Sequence, residues 1–225
     1  MTKASRILTQ ILNVNAKRLN ELLDKYPSVQ AYVKKYGIDF EAGRFKDENT
    51  FAGVKAPPID RRMTLKLSLN HYSEYSKHVA KEEYLSKIGH SMPCKKENAP
   101  IFTITHEFGH VIQNVLEKQY IDSHQEEFEH ARKKSIEVSL KDQGKGRAIL
   151  KDFCAKIRAQ HAKDIRGIIK ELNPKITRQK FAEASSSYST ESDAEFFAEA
   201  FANAECGKPN IIGNAIKIFL ERNLK

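Results

Sequence analysis

The stretch "TITHEFGHVIQN", residues 103–114, sets two histidines four apart with a glutamate directly after the first. Ile104, Phe108, Val111, Ile112 and Val115 recur at helical spacing, and Pro100 suits the first position of that helix. Residues four apart on a helix lie one turn above each other, so the imidazoles of His106 and His110 can face one metal ion. Glu107 is rotated about 100° from His106, too far to join the pair as a ligand but able to reach a water on the metal. Zinc lowers the pKa of such a water to roughly 7, and a carboxylate can take its proton as it attacks a carbonyl carbon. The competing reading is a surface helix with two solvated histidines. Gly109 costs a helix about 1 kcal/mol relative to alanine, which makes sense if another segment packs closely there.

A catalytic zinc needs a third protein ligand and an open fourth position. The metzincin pattern would place a histidine six residues after His110; that position is Leu116, so this subclass is excluded. The alternative is a carboxylate from a later helix. "ESDAEFFAEAF", residues 191–201, supplies Glu191, Asp193, Glu195 and Glu199. Glu195 and Glu199 are one turn apart on one face, while Phe196, Phe197 and Phe201 can anchor the helix in a core. One carboxylate can bind the metal and the next can hold a ligating histidine by a hydrogen bond. An ordinary amphipathic helix with solvated acids is the other reading of the same stretch.

Together "THEFGH" (105–110) and "SYSTESDAEFFAEAF" (187–201) resemble the gluzincin family of anthrax lethal factor-like catalytic domains, also found in bacteriophage and mobile-element proteins. In that family a tyrosine stands seven residues before the ligand glutamate, which begins an EFFAEAF-like run; here Tyr188 stands seven residues before Glu195. The resemblance implies a zincin-like core and a zinc metalloendopeptidase holding one Zn2+ per chain and acting on a protein or peptide substrate. It implies His106, His110 and Glu195 as zinc ligands, Glu107 as general base and Tyr188 as the hydroxyl that meets the developing oxyanion. Glu199 matches the family's following glutamate and is expected to support a ligating histidine. A neutral phenol suits its task, because it donates to an alkoxide without competing strongly for the metal. The resemblance is close over only these six and fifteen residues and extends loosely from the region of residue 63 to the carboxyl terminus. Ser189 replaces a glycine common after the tyrosine, and 85 residues separate His110 from Glu195, more than a compact gluzincin needs.

The extra length is basic and helical. Between Arg132 and Lys180 there are fifteen lysines and arginines against five acids, which accounts for the whole net charge of +9. Gly144 and Gly146 in "DQGKGR", and later Pro174, are expected to break this stretch. The segment 132–180 matches the charge of nucleic acid or of an acidic protein tail. Phe153 is the lone phenylalanine, tyrosine or tryptophan there, so stacking platforms are lacking and a solvated helical surface is expected instead. An assembly or nucleic-acid-binding module of a phage or mobile element, with a structural or vestigial zinc, is the rival reading of the whole chain.

Toward the amino terminus, Ile7, Leu8, Ile11 and Leu12 fall at helical spacing, and "SVQAYVKKYG" continues as a second helix ending at Gly37. This predicts a helical cap over 1–42, followed by the zincin-like domain over 43–225 with a helical insertion at about 120–182. "MTLKLSLNHY" (63–72) alternates Met63, Leu65, Leu67 and Leu69 as a half-buried strand does, and "TFAGVKA" (50–56) is its expected partner. If the first is an edge strand, its backbone can pair with an extended substrate; if it is interior, it has no such role. The expected fold class is α+β, mostly helical, with a small sheet packed on the motif helix.

The 225 residues, 40% of them apolar, can fill one sizeable core. Three widely separated cysteines with no CxxC pair fit a reducing compartment. No run of eighteen apolar residues and no compact apolar leader is present, so no membrane partner is expected and a cytoplasmic, or phage-associated, location is. Lys3, Arg6, Lys17 and Arg18 precede the first acid, Glu21, a composition shared by surface helices and organelle presequences; a surface helix is expected. His71, His78, His90, His124, His130 and His161 lack a ligand-spaced pair with a third partner and are expected to be surface or packing residues.

Overall fold

The computed structural model describes residues 3–47, 50–56, 62–69, 75–207 and 209–224. Among these residues the architecture is α+β and mostly helical, with one sheet of three short strands. The strands are β1 (Ile38–Gly43), β2 (Ala52–Lys55) and β3 (Met63–Ser68), in spatial order β1-β3-β2. Period-two alternation sends Met63, Leu65 and Leu67 of β3 into the core. β2 pairs with it antiparallel, with Val54 opposite Leu65, and β1 pairs with it parallel, with Phe40 opposite Leu65. The strand at 63 is therefore the central one and offers no free edge; β2 takes an edge position instead.

Helices α1 (Lys3–Lys25) and α2 (Pro27–Tyr36) form the predicted amino-terminal pair. Gly37 ends it at φ 86°, a left-handed conformation that suits glycine. The cap is not a separate body. The boundary expected at residue 42 falls inside β1, which is bonded into the sheet, and Leu22 and Val29 are buried in the main core. "YGIDFEAG" carries too few alternating apolar residues to announce a strand, because no residue of β1 is fully buried.

Helix α3 (Tyr75–Lys87) leads to a loop, a single 3-10 turn (Lys96–Asn98) and then α4 (Ala99–Ser123), the motif helix, with Pro100 in its first turn. Most of α4 is buried on every side, as expected of a helix surrounded by others at the centre of a fold. Helices α5 (Gln125–Ser139) and α6 (Gln143–Leu172) form a hairpin, followed by α7 (Arg178–Ala184), a 3-10 turn (Tyr188–Thr190), α8 (Asp193–Cys206) and α9 (Ile211–Asn223). Ile121 at the end of α4 and Phe128, Leu150 and Ile157 of the hairpin make a small cluster, separate from the main core.

Two expectations for the basic stretch need correction. Gly144 and Gly146 do not break it; the break is at 140–142, and both glycines lie in the first turn of α6, which Asp142 caps through Lys145 N–H. Gly146 is needed because a Cβ there would stand 2.6 Å from the Ser135 carbonyl oxygen, where α5 and α6 touch. Nor is the stretch wholly an insertion. Ala162, Ile165, Ile168 and Ile169 of α6 belong to the main core, where the helix packs on α8 and α9. Of the quoted strand and the unassigned histidines, residues 70–72, His71 among them, lie outside the described residues.

Candidate metal centre

α4 and α8 make the most extensive contact between described helices, and the sequence permits it at one point. A Cβ on Gly109 would lie 2.9 Å from Cα of Ala198 and 3.2 Å from Cβ of Phe201. The helix-weakening glycine thus lets the backbones meet within the turn that carries the two histidines. α8 begins at Ser192, whose hydroxyl accepts from Glu195 N–H at 3.1 Å. Ser192 and Glu195 have capping-box spacing, yet the Glu195 carboxylate turns toward the two histidines.

Nε2 of His106 is 3.0 Å, and Nε2 of His110 3.4 Å, from the same Oε2 of Glu195. A tetrahedral ion with bonds of about 2.0–2.1 Å puts neighbouring ligand atoms about 3.3–3.4 Å apart. Donor atoms of all three residues lie within 4.8 Å of one another, so this group can hold a metal ion. On its other side His106 offers Nδ1 to Glu199 Oε1 at 3.0 Å, which fixes the ring and leaves Nε2 facing the centre. Glu199 is itself anchored: its Oε2 accepts from Met92 N–H at 2.5 Å and from the Ser186 hydroxyl at 2.8 Å.

The electrostatics favour positive charge. Burial opposes a proton on His106, but hydrogen bonds to Glu195 and Glu199 and the nearby Glu107 raise its pKa well above the ordinary value. Burial alone would raise Glu195, yet its bonds to His106 and His110 hold it well below the usual carboxylate range. A site that stabilises an imidazolium this way stabilises a bound cation for the same reason. Glu107 is only 6% exposed, and burial raises its carboxyl pKa; its Oε2 is buried with no hydrogen-bond partner among the described residues. Such an orphan acceptor at a centre built for a cation fits a role toward a solvent or substrate proton.

Tyr188 lies over this group, its ring 5.7 Å from that of His106. Its backbone N–H bonds to His90 O at 3.0 Å, and Ser187 N–H to Gly89 O at 2.9 Å, so the loop after α3 positions it. Burial, then the carboxylates of Glu195, Glu107 and Glu191, raise its phenol pKa. Ser189, the departure from the family glycine, exchanges bonds with Ser186: its N–H donates to Ser186 Oγ at 3.0 Å and its hydroxyl to Ser186 O at 2.7 Å. The serine thus helps to hold the residue that anchors Glu199.

All six residues singled out from sequence converge. Four contributors were missed. Met92 acts through its backbone and Ser186 through a hydroxyl in a serine-rich turn, and neither has a spacing signal. His90, expected to be a surface or packing residue, does pack against Tyr188, with ring centroids 5.4 Å apart and planes tilted by 38°, and also lines the cavity beside the centre. Glu82 of α3 lines the same cavity, accepts from the Thr103 hydroxyl, and is pushed up by burial to about 7. In the sequence Glu82 stands between Lys81 and Glu83 with no spacing to a ligand motif.

No described helix is long and apolar enough to cross a membrane. Comparison of the chain with protein-family models, with curated proteins and with solved structures finds no match.

Proposed function

We propose that the chain is a zinc-dependent endopeptidase of the gluzincin type, with a zincin-like core made by α4, α8 and the sheet. The carrying observation is the convergence of His106, His110 and Glu195 donors beside the unpartnered Glu107 oxygen and the Tyr188 ring. Two imidazoles and one carboxylate with room for a further ligand are the donor set of hydrolytic zinc sites, whereas structural sites are closed by four protein ligands, cysteines prominent among them. Zinc bound there would supply an acidified water and polarise the scissile carbonyl.

The protein's own groups do the rest. Glu107, its basicity raised by burial, takes a proton from the attacking water and passes it to the amide nitrogen as the C–N bond breaks. Tyr188, kept neutral by its raised pKa, donates a hydrogen bond to the carbonyl oxygen as negative charge develops. Glu199 holds the His106 ring throughout. The edge strand β2 supports cleavage within a chain: its residues line the cavities on both sides of Glu107 and Tyr188, so an extended peptide laid along it passes the centre.

Metal analysis of protein purified without chelator tests the site. Stoichiometric zinc, lost in His110→Ala, is expected; substoichiometric zinc unchanged in that variant overturns it. Glu107→Gln is expected to keep zinc and lose peptidase activity. Salt-sensitive DNA binding without peptidase activity would move the reading to a nucleic-acid-binding module with a structural zinc.

A further inference from the structure

The cavity on one side of the centre has a volume of about 420 Å³ and shares His106, Glu107, Tyr188 and Glu199 with it. That is within the range of about 300–1,000 Å³ over which pockets enclose a small ligand, and ample for one long side chain. Its walls include the apolar Phe51, Leu85 and Phe102. Two polar groups lie at its protected end. Glu82 is 4% exposed, and Thr103 holds one carboxyl oxygen while the other has no hydrogen bond among the described residues. Ser91 is 7% exposed, and its hydroxyl is buried with no hydrogen-bond partner among the described residues. Asp47 and Glu191, both solvent-exposed, stand at the mouth.

The sign of the cavity is opposite to that of the protein. In a chain of net charge +9, no described residue lining it is a lysine or an arginine. Lys81, the cation stacked over the Phe51 ring at 4.5 Å, is not among the lining residues. A neutral, apolar specificity pocket would have no use for a buried carboxyl and an unsatisfied hydroxyl, each of which costs free energy without a partner. A ligand that brings an aliphatic stem and a cationic, multiply donating head satisfies every feature at once: stem against the three apolar walls, head to Glu82 and Ser91.

Building on the peptidase reading, we infer that this cavity seats the side chain of a lysine or arginine next to the scissile bond, with Glu82 as the residue that selects it. Glu82 recovers on binding part of the cost of its burial, since a desolvated carboxylate is stabilised strongly by a paired cation. The acids at the mouth draw the same side chain in.

A peptide-library cleavage profile of the zinc-loaded protein tests this. Lysine or arginine at one position flanking the cut is expected to be favoured at least tenfold in kcat/KM over leucine, methionine or glutamine. In Glu82→Gln the ratio of lysine to glutamine peptides should fall at least tenfold, and in Ser91→Ala about threefold. A second readout needs no turnover: Glu107→Gln protein should bind a lysine peptide at least tenfold tighter than its norleucine analogue by calorimetry. Cleavage that favours leucine or glutamine, or a basic preference unchanged in both variants, overturns the assignment and leaves the peptidase reading standing. Stoichiometric zinc with no cleavage of any peptide overturns both.

Discussion

Cα of Ala198 occupies the space a Cβ on Gly109 would need, at 2.9 Å, so the two ligand-bearing helices are in register only while residue 109 is glycine. In an isolated helix Gly109→Ala would gain about 1 kcal/mol. Here it is expected to destabilise the protein by about 1–3 kcal/mol, the range for overpacking a tight interface. Thermal denaturation gives the sign directly, and a metal titration should show weaker binding because Glu195 moves away from His106 and His110.

Glu199 accepts from three groups on three segments, His106, Met92 and Ser186. In Glu199→Gln the amide can accept on its oxygen but not on its nitrogen, so either His106 loses its acceptor or Met92 N–H and the Ser186 hydroxyl lose theirs. Metal affinity is expected to fall about 10–100-fold, as it does when the hydrogen-bond partner of a ligating histidine is removed. Competition with a chelator measures it; unchanged affinity would show that His106 needs no such support.

Removal of the Tyr188 hydroxyl alone should leave the metal in place. Tyr188→Phe keeps the ring contacts with His106 and His90, so zinc content is expected to stay stoichiometric. On the peptidase reading kcat falls about 10²–10³-fold, the loss typical of one oxyanion donor, with a smaller change in KM. A fall in KM-controlled binding with kcat preserved would assign the hydroxyl to substrate capture instead.

Away from the centre, His161 packs against the Phe219 ring at 5.6 Å, with Nδ1 buried and without a hydrogen-bond partner among the described residues. Burial lowers its pKa to about 4, against which Asp164 works weakly. Between about pH 6.5 and 4 the unfolded chain therefore binds a proton that the folded protein refuses, so stability falls as pH falls through that window. The loss is of order 3 kcal/mol at the lower end. Urea denaturation of wild type and His161→Leu at pH 8 and pH 5 should show a smaller pH dependence in the variant.

The motif helices were legible because their signals are local: residues four apart share a helix face whatever surrounds them. Gly109 was legible as a close approach for the same reason, though not what approaches. Strand order was not. β3 reads as a half-buried strand in either an edge or a central place, since alternation records which face is buried and not which neighbours are hydrogen-bonded. The inner half of α6 was hidden by its own charge: Lys163, Arg166 and Lys170 lie on the outer face while Ala162, Ile165, Ile168 and Ile169 reach the core. Contributors that act through backbone atoms or lone hydroxyls, such as Met92 and Ser186, leave no mark in residue type.

His106 and Glu195, joined across α4 and α8, lie 89 positions apart in the chain, with the α5–α6 hairpin between them. Closing a chain loop costs entropy that grows only with the logarithm of its length, about 0.6 kcal/mol for each doubling. Beyond the small cluster that ties it to the end of α4, the outer part of the hairpin is thus a segment whose length the centre hardly feels, while the inner half of α6 is fixed by the core. Shortening the chain symmetrically around 140–142 is the change of length this architecture tolerates best.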